Sequence, residues 1–196
     1  MDWLYKMIFP EEANYDIPAE ELEELRMMSN LEVNEIKRLK KYYVKELTGG
    51  KDDARLGKDQ FLDIPCVANN PLKERLVVCF GFSARNNHSL DFPSFLLALS
   101  KFNAVRKKEE KLRLAFQIQD FDDDNQLSRE DVKKYLQCVT DNNGILSDEQ
   151  LEDTVTEIFR ETSSSIKQTE ITFADFCRVM APTDFHTKLY LPIGHK

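Results

Sequence analysis

The sequence predicts an all-α protein of four helix–loop–helix units, paired into two lobes, with an extension at each end. Three observations carry that prediction. Apolar residues recur every three or four positions through most of the chain. A short pattern occurs four times: an aliphatic residue, four mostly polar or small residues, then a second hydrophobic residue. One polar loop between two amphipathic stretches carries aspartates at alternate positions.

The elements follow in chain order. Ile36, Leu39, Tyr43 and Leu47 define one apolar face, with Lys37, Arg38, Lys40, Lys41 and Lys45 mostly on the other sides. Thr48-Gly49-Gly50 ends that helix. Asn70 before Pro71 reads as an N-cap followed by proline at the first helical position. Leu72, Leu76, Cys79 and Phe80 mark the buried face of this second helix. Further helices are expected around 92–103, 107–119, 129–139, 148–160 and 173–180. Polar, loop-like stretches separate them at 48–55, 83–89, 120–126, 141–144 and 161–170, and no region is rich in strand residues.

The repeated pattern is Leu56-Gly-Lys-Asp-Gln-Phe61, Leu90-Asp-Phe-Pro-Ser-Phe95, Leu127-Ser-Arg-Glu-Asp-Val132 and Ile171-Thr-Phe-Ala-Asp-Phe176, at spacings of 34, 37 and 44 residues. Helix, polar loop, central aliphatic residue and helix is the EF-hand plan. The central aliphatic residues of paired loops are expected to form a small two-stranded contact. Four units make two pairs. The expected organisation is an N-terminal extension, 1–30; a first EF-hand pair without metal, 31–103; a second pair with one metal site, 104–181; and a tail, 182–196. The joint is placed in 103–111.

The loop Asp120-Phe-Asp122-Asp-Asp124-Asn-Gln126-Leu-Ser128-Arg-Glu-Asp131 fits a 12-residue calcium loop. A hard cation needs oxygen ligands converging from one turn of chain. Asp120, Asp122 and Asp124 supply side chains at loop positions 1, 3 and 5, Gln126 its backbone carbonyl at position 7, and Asp131 closes at position 12. Position 6, usually glycine, is Asn125, which tolerates the left-handed conformation. Asp131 is one methylene shorter than the usual bidentate glutamate, so six-coordinate Mg²⁺ becomes a plausible resident beside Ca²⁺. The other loops fail the same test. The second offers Ser83, Arg85, Asn87 and Ser94, the fourth Ser164, Ile166, Gln168 and Asp175, and in the first Asp52 and Asp53 are adjacent and so are expected to point in different directions. One site for Ca²⁺ or Mg²⁺ is expected.

Composition narrows the function. Lys+Arg is 27 and Asp+Glu 35, a formal net charge of −8, which suits no nucleic-acid backbone. No run approaches the roughly 18 apolar residues of a spanning helix. Met1-Asp2-Trp3-Leu4 has neither the basic nor the apolar region of a signal peptide, and Asp2 excludes N-myristoylation for this start. Cys66, Cys79, Cys138 and Cys177 are widely spaced and read as reduced, buried thiols. His88, His186 and His195 accompany no nucleophile motif, so no enzyme is expected.

The chain resembles the calcium- and integrin-binding family, which is related to calcineurin B. The resemblance rests on 61–71 leading into the helix through Arg75, on 90–102, on the metal loop 120–131 and on the closing run 181–185; it covers about 31–190. It implies a non-catalytic adaptor in the cytoplasm, peripheral to the membrane through its partner. That partner is an amphipathic helical segment of a membrane protein, an integrin α-subunit tail or a transmembrane channel-like mechanotransduction channel. The alternative is a regulatory subunit of a phosphatase or kinase, as calcineurin B is for a phosphatase. Paired EF-hands can open an apolar groove for such a helix. Its candidate residues are Phe95, Leu99, Phe102, Leu112, Phe116, Leu136 and Phe159, for which plain core is the other reading. Phe185, Leu189, Tyr190, Leu191 and Ile193 in the tail either cover the groove and yield to a partner or pack permanently. Trp3, Leu4, Met7, Ile8 and Phe9 form an aromatic-rich N-terminal patch that meets a membrane, a partner or the protein's own surface. The basic clusters 37–45 and 106–113 are either solvated helix faces or surfaces for acidic partner residues or lipid headgroups.

Overall fold

The computed structural model describes residues 16–50, 54–102, 107–140, 146–162, 169–183 and 191–193. The N-terminal aromatic patch, Asp52 and Asp53, Arg106, Ser164, Ile166 and Gln168, and tail residues Phe185, Leu189 and Tyr190 lie outside them. Ten α-helices and two short antiparallel ribbons stand among the described residues.

Helix α1 (Ala19–Ser29) lies inside what the sequence reads as an extension. Only Leu25 and Ser29 are buried on it, so its apolar stripe is too thin to register as a periodicity. Asn30 ends it in the left-handed conformation at φ 57°, returning its N–H to the Arg26 carbonyl. Helix α2 (Val33–Tyr42) widens over its last turn, Tyr43–Leu47, where the Thr48 N–H reaches back to Tyr43 O at 3.0 Å. Gly49 and Gly50 then turn the chain at φ +73° and +86°.

Strand β1 (Leu56–Gly57) pairs with β2 (Ser89–Leu90), placing Leu56 opposite Leu90. Strand β3 (Leu127–Ser128) pairs with β4 (Glu170–Ile171), placing Leu127 opposite Ile171. The four aliphatic residues of the repeat thus meet in two pairs, all of them buried. Tyr43 locks the first ribbon to α2: its hydroxyl donates to Leu90 O at 2.7 Å and accepts the Leu56 N–H at 3.1 Å.

Helices α3 (Lys58–Leu62) and α4 (Pro65–Ala68) lead to α5 (Lys73–Phe80). The last begins two residues after the expected proline. Asn70 Oδ1 accepts the Leu72 N–H at 2.8 Å, and that local turn takes up Pro71 and Leu72. Helix α6 (Phe92–Ser100) starts on Asp91, whose side chain accepts the Ser94 N–H. The second pair comprises α7 (Lys108–Gln119), α8 (Arg129–Thr140), α9 (Asp148–Thr162) and α10 (Phe173–Met180).

The buried residues form two cores. The first is rich in aromatic rings: Phe61 lies 4.5 Å from Phe80 and 5.1 Å from Phe82, and Phe80 lies 5.7 Å from Phe102. Such pairs each contribute about 0.5–1.5 kcal/mol beyond area burial. The second centres on Phe116, edge-on to Phe173 and Phe176. Helix α7 serves both. Leu112 and Phe116 face the second core, whereas Leu114 and Ile118, two positions along and so nearly opposite on the helix, face the first. Leu191 and Ile193 from the tail also belong to the first core. The chain therefore does not divide cleanly at 103/104: α1, one face of α7 and the end of the tail all complete the first core.

Candidate metal centre

Helix α7 delivers Asp120 at its C-terminus, where the Asp120 N–H still bonds Phe116 O at 3.1 Å. The chain then wraps around that carboxylate. Asp120 accepts the Asp124 N–H at 3.2 Å and the Asn125 N–H at 2.9 Å, while Asp124 Oδ1 accepts the Gln126 N–H at 2.8 Å. Asn125 stands at φ 67°, the conformation that the sixth loop position demands, and Asp123 at φ 58°. One carboxylate oxygen each from Asp120, Asp122 and Asp124 lies within 4.8 Å of the others. Asp120 is buried, and Asp122 and Asp124 are exposed. Burial raises the Asp120 carboxyl above its ordinary pKa; the Asn125 and Asp124 N–H groups pull it down, and the charges of Asp123 and Asp124 push it up again.

Three clustered hard oxygens that repel one another suit a divalent cation of the Ca²⁺ or Mg²⁺ type. Gln126 follows at the seventh position, directly before β3. Asp131 stands apart from the cluster. Its carboxylate accepts the Phe121 N–H at 3.0 Å, the Ser128 N–H at 3.0 Å and the Ser128 hydroxyl at 2.5 Å. It therefore ties the two ends of the loop and caps α8. With an aspartate at this position, the carboxylate serves the protein's own N–H groups first.

The second loop closes by other means. Asn86 Oδ1 accepts the Ser83 N–H at 3.0 Å and its amide donates to Gly81 O at 2.8 Å. In the fourth hand, Thr172 and Asp175 cap α10, and Arg178 bridges the Thr162 carbonyl at 2.6 Å and Asp175 at 3.2 Å. An amide closes the second loop, and a guanidinium bridges the described flanks of the fourth, where a cation holds a competent loop.

The candidate groove residues are not brought to one open surface. Phe95, Leu99 and Phe102 are buried in the first core. Leu112, Phe116 and Phe159 are buried in the second, with Leu136 half-buried against it. Their helical spacing is the spacing of core, which sequence alone does not separate from a groove. An open cleft of about 1220 Å³ lies instead beside α2, lined by the charged residues Arg38, Lys41, Lys45, Glu46 and Asp63 and by Tyr42, Ile64 and Pro65 among others. Pro192 and Ile193 of the tail form part of its wall. The basic run was visible in the sequence; its meeting with the tail, about 150 residues away, was not. No helix among the described residues is long and apolar enough to cross a membrane.

Known proteins share this plan. A family model for an EF-hand domain pair matches residues 109–181. The calcineurin B protein of Naegleria gruberi is 34% identical over 170 residues, covering 87% of this chain and 92% of its own length. The type 2 calcineurin B protein of Homo sapiens is 33% identical over 182 residues, covering 92% and 97%. The calcineurin B protein of Candida glabrata is 31% identical over 167 residues, covering 79% and 92%. These alignments span both EF-hand pairs. They favour the regulatory reading over the membrane-protein adaptor that the resemblance implied.

Proposed function

This chain belongs to the calcineurin B-related EF-hand family, and on that premise we propose that it is a non-catalytic regulatory subunit, holding a helical segment of a phosphatase-type catalytic partner. The observation that carries the proposal is the near end-to-end match to calcineurin B proteins, which covers the metal-poor first pair as well as the second. Asp120, Asp122 and Asp124, with the Gln126 carbonyl, would hold one Ca²⁺ or Mg²⁺ there, while Asp131 braces the two ends of the loop. A bound cation removes the mutual repulsion of the carboxylates and stiffens the loop between α7 and α8. The single acidic loop makes the ion a structural staple of the second pair rather than a graded sensor.

The cleft beside α2 suits an amphipathic partner helix. Its apolar lining accepts anchors at helical spacing, and its charged lining is mixed, with Arg38, Lys41 and Lys45 set beside Glu46 and Asp63, which suits a partner helix carrying charges of both signs. Ile193 in the cleft wall makes the tail's end a neighbour of that helix.

Affinity capture from a detergent extract, in Mg²⁺ with and without Ca²⁺, tests the reading. Recovery of a phosphatase catalytic subunit in both conditions supports it. Recovery of an integral membrane protein instead restores the adaptor reading. Calorimetry tests the cation site separately: Asp120→Ala combined with Asp124→Ala is expected to abolish divalent-ion binding.

A further inference from the structure

A buried cation held against the metal loop comes from the other EF-hand pair. Arg75, on α5, is 5% exposed. Its guanidinium donates to Gln117 O at 2.7 Å, Ile118 O at 3.2 Å and the Asp120 carbonyl, and pairs with Asp123 Oδ1 at 2.9 Å. It also stands over the Phe121 ring, 5.3 Å from its centre. The last turn of α7 has no basic residue of its own. Arg75 thus supplies in trans the cation that a helix C-terminus favours, satisfying carbonyls that have no partner within the helix. Two of its contacts are loop positions themselves: the backbone of position 1 and the side chain of position 4, whose residue is held in the left-handed conformation.

We propose that Arg75 is a positioning residue for the cation site, through which the first EF-hand pair sets the geometry of the loop 120–131 and cation binding there stabilises the first pair in return. The proposal rests on reading that loop as a cation site. The reciprocity follows from linkage: whatever Arg75 contributes to the binding-competent loop, the bound ion returns to the Arg75 contacts. A guanidinium is suited to this task because its fork bonds several oxygens at once, which an ammonium cannot match. The contacts lie along one path, from α5 through Arg75 to Asp120 and Asp123.

Hydrogen exchange on the full chain, in chelator and then with Mg²⁺ or Ca²⁺ alone, tests the coupling. Amides of 120–131 are expected to slow, and those of α5 at 73–80 to slow with them by about tenfold. Slowing confined to 120–131 overturns the coupling and leaves the cation site standing. Absence of slowing in either segment removes the cation site and the coupling together. Arg75→Lys keeps the charge and loses the fork. It is expected to keep the slow loop and lose the effect on 73–80; an undiminished effect assigns the transmission to the packing of Leu114 and Ile118 and overturns the role of Arg75. Calorimetry separates positioning from charge. Arg75→Met weakens cation binding about tenfold if the fork positions the loop, whereas tighter binding means that Arg75 acts only as a repelling charge, against the proposal. If neither Arg75 variant folds, Asp123→Asn, at a half-exposed side chain, removes one contact and is expected to reduce the slowing of 73–80; an unchanged slowing counts against the path.

Discussion

Lengthening residue 131 by one methylene is expected to convert this loop into a stronger and more calcium-selective site. In the structure the Asp131 carboxylate is occupied by the Phe121 N–H and by Ser128, outside the cluster formed by Asp120, Asp122 and Asp124. Asp131→Glu extends the reach by about 1.5 Å, one carbon–carbon bond. Serine followed three residues later by glutamate is the favoured capping box, so the start of α8 survives. A new charged contact to the ion is worth about 2.5 kcal/mol, taking charge-assisted hydrogen bonds as the guide, and freeing the Phe121 N–H costs about 1 kcal/mol. The net of about 1.5 kcal/mol corresponds to roughly tenfold tighter Ca²⁺ binding. Mg²⁺ accepts only six ligands in a rigid octahedron, so its affinity is expected to change less than about threefold. Calorimetric titration of chelator-treated protein with each ion measures both numbers. An unchanged Ca²⁺ affinity, or equal gains for the two ions, would refute the reasoning that the short side chain leaves the coordination shell incomplete.

Other perturbations read the scaffold. Tyr43→Phe removes the hydroxyl that bonds Leu90 O and the Leu56 N–H, and is expected to cost about 1–3 kcal/mol in urea unfolding while leaving cation binding unchanged. Phe80→Ala opens the aromatic core between Phe61, Phe95 and Phe102 and is expected to cost about 3–5 kcal/mol by the same measurement. Burial pushes the Cys79 thiol up to about 11 from 9.0. Above pH 9 the unfolded chain releases this proton while the folded chain keeps it, so stability present below pH 9 is lost as the pH rises toward 11. Relative to Cys79→Val, the native protein is expected to lose up to about 3 kcal/mol across that window in denaturant titrations at stepped pH.

The helical repeat and the acidic loop were legible in the chain because both are local. Leu56, Leu90, Leu127 and Ile171 sit at one place in a unit that recurs, and the pairing of such units follows from the need to cover each one's apolar face. Asp120, Asp122 and Asp124 converge because a single turn of backbone brings alternate positions together, and Asn125 adopts the left-handed conformation that the turn requires. Other features depended on what packs beside each residue. Phe95, Leu99 and Phe102 have the spacing of a groove and of a core alike, and only the surrounding helices made them core. The two opposite apolar faces of α7 were written in the spacing of Leu112, Leu114, Phe116 and Ile118, but which face met which lobe was not. Ile193 found the first core, and Arg75 the end of α7, across distances in sequence over which no periodicity carries information. A buried guanidinium is stable only where several oxygens converge on it, and the tertiary fold alone brought the carbonyls of α7 and the carboxylate of Asp123 to that point.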